Sequence, residues 1–236
     1  RSLTLQTGRS YRENLHLGDD ELAIKVGGAA SRALFDFYEK LAEESGSESI
    51  QELLEEDSSV LYEGQQADHA LLAKAMADQR ISSLLSAPVL VCTIDHLTPA
   101  TEAQRAGRQI APMLRLMSSD LILDELDDFD LKDLPALTRL VHWTGLLGSK
   151  VILSSATLPP SLLLGMFLSY QAGRREFLRN RGPHDVQATM PAIPCLWVDE
   201  FNSRVESCVD DDSFHSVHEE FIERRVDALK ASLKKK

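Results

Sequence analysis

The sequence of 236 residues, 43% of them hydrophobic and 26% charged, can bury a substantial core as one large or two small domains. No apolar run approaches the ~18 residues that would cross a membrane, and Cys92, Cys195 and Cys208 form no Cys-x-x-Cys pair and leave an odd count. This argues against a disulfide scaffold or zinc ribbon and for a reducing, cytoplasmic compartment. A net charge of −12 excludes a broad nucleic-acid-gripping surface, so any such contact must be local.

In chain order, Arg1 opens in mid-pattern rather than on Met, with no signal peptide, and a fragment is expected. Ser2–Gln6 reads as a strand, and Thr7-Gly8-Arg9-Ser10 as a small-residue turn opening a helix through Leu15. That turn serves equally as a phosphate cradle or as an ordinary N-cap. Leu22–Val26 is a second strand, stopped by Gly27-Gly28. Ala29–Glu44 is an amphipathic helix with Leu34, Phe37, Tyr38 and Leu41 on one face. Glu43–Ser59 is an acidic, serine-rich surface insertion with a short helix over Ile50–Leu54, and no chemistry is assigned to it. Val60–Tyr62 is a short strand and Asp68–Leu85 repeats apolar residues at helical spacing. Pro88–Cys92 is a strongly buried strand that ends in Thr93-Ile94-Asp95-His96-Leu97. His96 has no second His or Cys at ligand spacing, so it reads as a satisfied polar residue rather than a metal ligand. Glu102–Met117 is a helix bearing Arg105, Arg108 and Arg115 near the acidic strand end that follows.

That strand end is the densest signal in the chain. Leu121-Ile122-Leu123 reads as a strand buried on both faces and discharges into Asp124, Glu125, Asp127, Asp128 and Asp130. Ligands of open α/β sheets bind beyond the carboxyl ends of parallel strands. Asp124-Glu125-Leu126-Asp127 has the Asp-Glu-x-Asp form of a Walker B motif. In such a motif the first Asp holds Mg²⁺, usually through its waters, and the Glu orients or deprotonates the attacking water. By composition alone the string recurs in about one chain of this length in ten. A second strand, Lys150–Leu153, empties into Ser154-Ser155-Ala156-Thr157, and the two motifs together amount to a coincidence of roughly one in a thousand. Between them Leu131–Leu147 is a helix with Gly148 as its stop. Strand, helix, strand in this order makes a right-handed βαβ unit that delivers both motifs to one sheet edge.

Beyond Pro159-Pro160, Leu162–Phe177 is a helix with a basic far end, Arg174, Arg175, Arg179 and Arg181. Those arginines serve equally to complement the helix C-terminus or to meet a phosphate. His184-Asp185 is declined as a phosphohydrolase dipeptide, because the other ligands of such a site are missing. Ile193–Val198 is a final strand with Cys195 and Trp197. Asp210-Asp211-Asp212 caps a helix over Ser213–Leu233, whose His215 and His218 read as a solvated helix start. Lys234–Lys236 is a charged tail.

The strings LTLQTGRSYR, APVLVCTIDHLTPATEAQRAGRQIAPMLRL, DLILDELDDFD and VILSSATLPPSLLLGMFLSYQAGR closely resemble the helicase part of the CRISPR-associated helicase-nuclease of type I systems. The variant resembled is subtype I-F, fused to the small adaptation subunit. The resemblance implies an α/β, RecA-like fold of the P-loop NTPase type, a mostly parallel sheet with helices on both faces, here without its phosphate-loop strand and helix. Residues 1–182 would form most of the first RecA-like lobe, and residues 183–236 a final strand and helix leading towards a second lobe. It implies further that Leu5–Arg9, with Thr7, Gly8 and Arg9, and Thr93–His96, with Thr93, Asp95 and His96, touch single-stranded DNA. Asp124, Glu125 and Asp127 would be catalytic, with Asp124 as metal ligand, and Ser155, Ala156 and Thr157 the coupling motif. ATP and Mg²⁺ would be the cofactors of the intact protein. Its partners would be single-stranded DNA, the CRISPR surveillance complex, the adaptation integrase subunit and an anti-CRISPR inhibitor, with no membrane. The departures are that no G-x-x-x-x-G-K-[ST] loop occurs in these residues, and that the nuclease domain with its metal site and the second lobe with its arginine finger are expected to lie outside the chain. The competing reading is an isolated lobe acting as a docking module without activity of its own.

Overall fold

Parallel strand pairs organise both units into which the chain divides, Arg1–Arg115 and Leu116–Lys236. The computed structural model describes residues 2–18, 21–25, 84–101, 109–181 and 190–233. Outside these lie the helix expected over 29–44, most of that over 68–85, the insertion 43–59, the strand 60–62, the start of the helix expected from 102, and His184-Asp185.

In the first unit α1 (Ser2–Leu15) precedes β1 (Leu22–Lys25) and β2 (Val89–Cys92), which pair in parallel from Leu22↔Val89 to Lys25↔Cys92. The strand expected over Ser2–Gln6 and the turn at Thr7–Ser10 are both replaced by continuous helix. The alternating pattern was too short to outweigh helical spacing, in which Thr4, Gly8 and Tyr11 share one face. Gly8 is buried, and a Cβ there would meet Ile24 Cδ1 at 2.4 Å, so the glycine lets α1 lie close on β1. Next comes α2 (Ile110–Ser118). Its Arg115 is 8% exposed and donates to the carbonyls of Ala87 at 2.6 Å and Pro88 at 3.0 Å. It pins the entry to β2, because a buried guanidinium must find acceptors.

In the second unit β3 (Leu121–Asp124), α3 (Leu134–Leu147) and β4 (Val151–Ser154) form the expected βαβ unit, in parallel register from Leu121↔Val151 to Asp124↔Ser154. Asp120 Oδ1 accepts from the Lys150 amide at 2.8 Å and braces the pair at its start. Pro135 lies in the first turn of α3, where its missing N–H costs nothing, and Gly148 ends the helix at φ 92°, a conformation open to glycine. Leu137, Leu140 and Val141 are 0% exposed and form the inner face. The expectation that β3 is buried on both faces is not met. Leu121 and Leu123 are buried, whereas Ile122 and Ile152, opposite each other in register, are 50% and 51% exposed, since no described element of this unit covers that face.

The helix α4 (Pro160–Arg181) is longer at both ends than expected and crosses α3 closely. A Cβ at Gly173 would lie 2.1 Å from the His142 carbonyl oxygen, so only glycine permits that approach. Then follow β5 (Ile193–Val198) and β6 (Ser203–Cys208), an antiparallel hairpin, and α5 (Asp211–Leu233). The polar sequence SRVESC gave no strand signal, and β6 exists through its pairing with β5. Phe167, Ile193, Cys208, Phe214 and Val217 form a core shared by α4, the hairpin and α5, with the Phe167 and Phe214 rings stacked at 4.5 Å. Gln171, 1% exposed, donates to the carbonyls of Pro191 and Val209 and so ties α4 to both ends of the hairpin. The start of α5 is closed reciprocally. Asp210 Oδ1 accepts from the Ser213 amide, and Ser213 Oγ accepts from the amides of Val209 and Asp210.

Candidate functional site

The carboxyl ends of β3 and β4 are matched residue for residue, which puts Asp124 beside Ser154. The ladder is carried one residue further by the Glu125 amide, which donates to the Ser154 carbonyl at 2.8 Å. Glu125 then takes φ 51° and ψ 54°, the left-handed region, uncommon for a residue with a Cβ and costing about 1–3 kcal/mol. This reverses the chain into one 3-10 turn, Leu126–Asp128. Leu126, 1% exposed, anchors the turn in the core, while Asp124 and Asp127 are exposed and Glu125 is half-buried.

Asp127 is the junction of the two motifs. Ser155 Oγ donates to its Oδ1, Thr157 Oγ1 donates to its Oδ2 at 2.5 Å, and the Thr157 amide leans on Ser155 Oγ at 3.4 Å. These bonds favour the ionised form, and the Ser155 hydroxyl first, then that of Thr157, hold the Asp127 carboxyl below the usual carboxylate range. Ala156, exposed between them, brings no polar group. One carboxylate thus joins the turn after β3 to the residues following β4. The donor set also bears on a metal. Among the described residues no group of three or more His, Cys, Asp or Glu side chains is placed to hold an ion. A lone exposed carboxylate such as that of Asp124 suits Mg²⁺, which keeps most of its waters and takes one or two protein oxygens.

The other expected site residues lie in the first unit. At the end of β2, Thr93 is extended and donates its amide to the Lys25 carbonyl at 3.3 Å, and Ile94–His96 form a 3-10 turn closed by the His96 amide on the Thr93 carbonyl. Asp95 is exposed. His96 Nε2 is buried without a hydrogen-bond partner. Burial first, then the Lys25 cation, lowers its pKa and so favours the neutral ring. Thr7, Gly8 and Arg9 do not form the expected amide cradle. They lie inside α1, where amides are engaged in the helix, and Gly8 rests on Ile24, against the side of a strand rather than at its end. His215 and His218 were expected to be a solvated helix start, and His218 is not solvated. His215 pairs with Glu219 at 3.1 Å, and His218 is 6% exposed and stacked on Phe214. The sequence reading did not find the left-handed Glu125 or the Asp120–Lys150 brace. Neither has a signature in residue type.

No protein-family model matches the chain. Over 229 residues, 97% of its length, it is 53% identical to the CRISPR-associated nuclease/helicase Cas3 subtype I-F/YPEST of Pseudomonas aeruginosa strain UCBPP-PA14. It is 45% identical over 238 residues to the protein of the same name from Pectobacterium atrosepticum strain SCRI 1043. The chain spans about a fifth of each, 21%. Among solved structures, that of T. fusca Cas3 covers 56% of this chain and 14% of its own at 24% identity and a TM-score of 0.38, and the T. fusca Cas3-ADP structure gives the same values. Almost all of this chain is therefore similar to one segment, about a fifth, of Cas3 nuclease/helicases of subtype I-F.

Proposed function

We propose that this chain is the nucleotide-responsive part of an ATP-dependent superfamily 2 DNA translocase, coupled to a nuclease that degrades foreign DNA in CRISPR interference. In this reading residues 1–182 are the first RecA-like lobe, and 183–236 lead towards a second. The intact protein acts on single-stranded DNA at a CRISPR surveillance complex, and its fusion to the adaptation subunit follows the resemblance of the motifs to subtype I-F. The observation that carries the reading is the double hydrogen bond from Ser155 and Thr157 to Asp127, which joins the acidic strand end to its neighbour. The residues divide the work. Asp124 holds the metal, and bound Mg²⁺ would neutralise charge on the nucleotide phosphates. Glu125 orients the attacking water and takes its proton, and the Asp127 clasp passes the state of the site to the residues after β4. Thr93, Asp95 and His96 supply the local DNA contact.

The test is phosphate release from ATP by the longer protein that carries this segment, with single-stranded DNA present. Glu125→Gln keeps nucleotide binding and lowers hydrolysis about 10²- to 10⁴-fold, the usual contribution of a positioned base. Asp124→Ala weakens Mg²⁺-dependent nucleotide binding itself. Undiminished turnover by the Gln variant overturns the assignment.

A further inference from the structure

The last turns of α4 gather Arg174, Arg175, Arg179 and Arg181 with a single acid, Glu176, in a chain whose net charge is −12. The side chains divide into two arrangements. Arg174 and Arg181 lie over the Phe177 ring, 4.5 and 5.3 Å from its centroid, as their spacing of three and four residues from it allows. Arg175 and Arg179 both reach the Glu176 carboxylate, at 3.3 and 3.1 Å. The ring itself is wedged at Gly148, where an added Cβ would lie 2.5 Å from Phe177 Cε2. The guanidinium groups of Arg174 and Arg181 therefore rest on a ring that is itself held by close packing at Gly148.

Complementing the helix C-terminus accounts poorly for them. A cation does that by approaching the last carbonyls, whereas the hydrogen bonds of Arg175 and Arg179 run to Glu176 and Met190 Sδ. One carboxylate against four guanidiniums leaves a positive surplus on an otherwise acidic molecule. The Arg179 side chain is 60% exposed, and Arg181 is exposed too.

We propose that the basic end of α4 is a contact for the phosphate backbone of nucleic acid, made by residues distinct from those at the strand ends. Guanidinium forks bind phosphate oxygens in pairs, and two of the four here, those of Arg174 and Arg181, have the Phe177 ring behind them. From Arg174 to Arg181 the helix rises about 10 Å, enough to engage more than one phosphate. The choice of nucleic acid over an acidic polypeptide rests on the DNA-handling reading above.

The test is fluorescence anisotropy of a labelled single-stranded oligonucleotide titrated with this chain between about 50 and 200 mM salt, where phosphate contacts dominate. In Arg179→Gln/Arg181→Gln both positions are exposed and Gln keeps the helix, which circular dichroism verifies. Loss of two phosphate contacts weakens binding and makes the plot of log affinity against log salt shallower by about 1.4, while Lys230→Gln on α5 leaves the slope unchanged. Equal slopes for the double variant and the unaltered chain overturn the proposal, and so does displacement by polyglutamate as efficient as by unlabelled DNA. Binding that survives the double variant unchanged removes the α4 contact but leaves the DNA reading standing. No binding by the unaltered chain removes both.

Discussion

Asp127 is exposed, yet both of its oxygens are occupied by hydroxyls from across the ladder. Its pKa is lowered from 3.8, so the stability the clasp gives is present at neutral pH and is lost as pH falls below 3.8 through the folded value. Replacing both donors, Ser155→Ala with Thr157→Val, returns the carboxyl towards its ordinary value, which a carbon NMR titration reads directly. An unmoved titration would show that the hydroxyls do not set it. In the longer protein the same pair should leave ATP hydrolysis within about 10-fold of the original while strand unwinding falls further, because no member of the pair is the base or metal ligand. The junction was legible in the sequence because parallel strands bring successive strand ends to one edge. The left-handed Glu125 was not, because a backbone reversal at an acid leaves no trace in composition.

Elements were legible where a long pattern agreed with its surroundings, and they failed where pairing or close approach decides. The βαβ unit was read from two apolar runs and a Gly stop. In contrast α1 was mistaken because Gly8 looked like a turn residue, when it serves a close contact with Ile24, and β6 is a strand only because β5 pairs with it. Crossing geometry gives a direct test at this scale. Gly173→Ala places a methyl against the His142 carbonyl, with backbone on both sides and nothing flexible to yield. Separating α3 from α4 should cost about 1–3 kcal/mol, visible as a lower urea midpoint. The packing of α5 gives another. Burial first, and then His215, lowers the pKa of His218 from 6.5, so the unfolded chain binds the proton more readily and stability falls as pH drops below 6.5. The loss between about pH 7.5 and 5.5 should shrink in His218→Phe, which keeps the stack on Phe214 and removes the titrating ring. The same loss in both proteins would place its origin elsewhere.

At the scale of the molecule, two strand ends lie in two units of one acidic chain, and the nucleotide site proposed at one of them, the end of β3, would supply only part of what phosphoryl transfer needs. The acidic end of β3 holds one exposed carboxylate, Asp124, and one half-buried carboxylate, Glu125, which in the proposed reading would serve a metal and a water. Transfer of a γ-phosphoryl group depends mainly on charges and amides placed around the phosphate oxygens. In phosphate-loop enzymes these come from a G-x-x-x-x-G-K-[ST] loop, a string that does not occur in the 236 residues. Asp124 and Glu125 add negative charge beside an anion already rich in it, so without such a loop they hold a nucleotide weakly and cannot stabilise its transition state. This chain alone is therefore expected to release no phosphate from ATP with Mg²⁺ and single-stranded DNA. The longer protein assayed beside it should turn over, and its Glu125→Gln form should do so about 10²- to 10⁴-fold more slowly. Turnover by the chain alone would mean that other residues within it bind the phosphates, and the roles given to the β3 end would have to be moved.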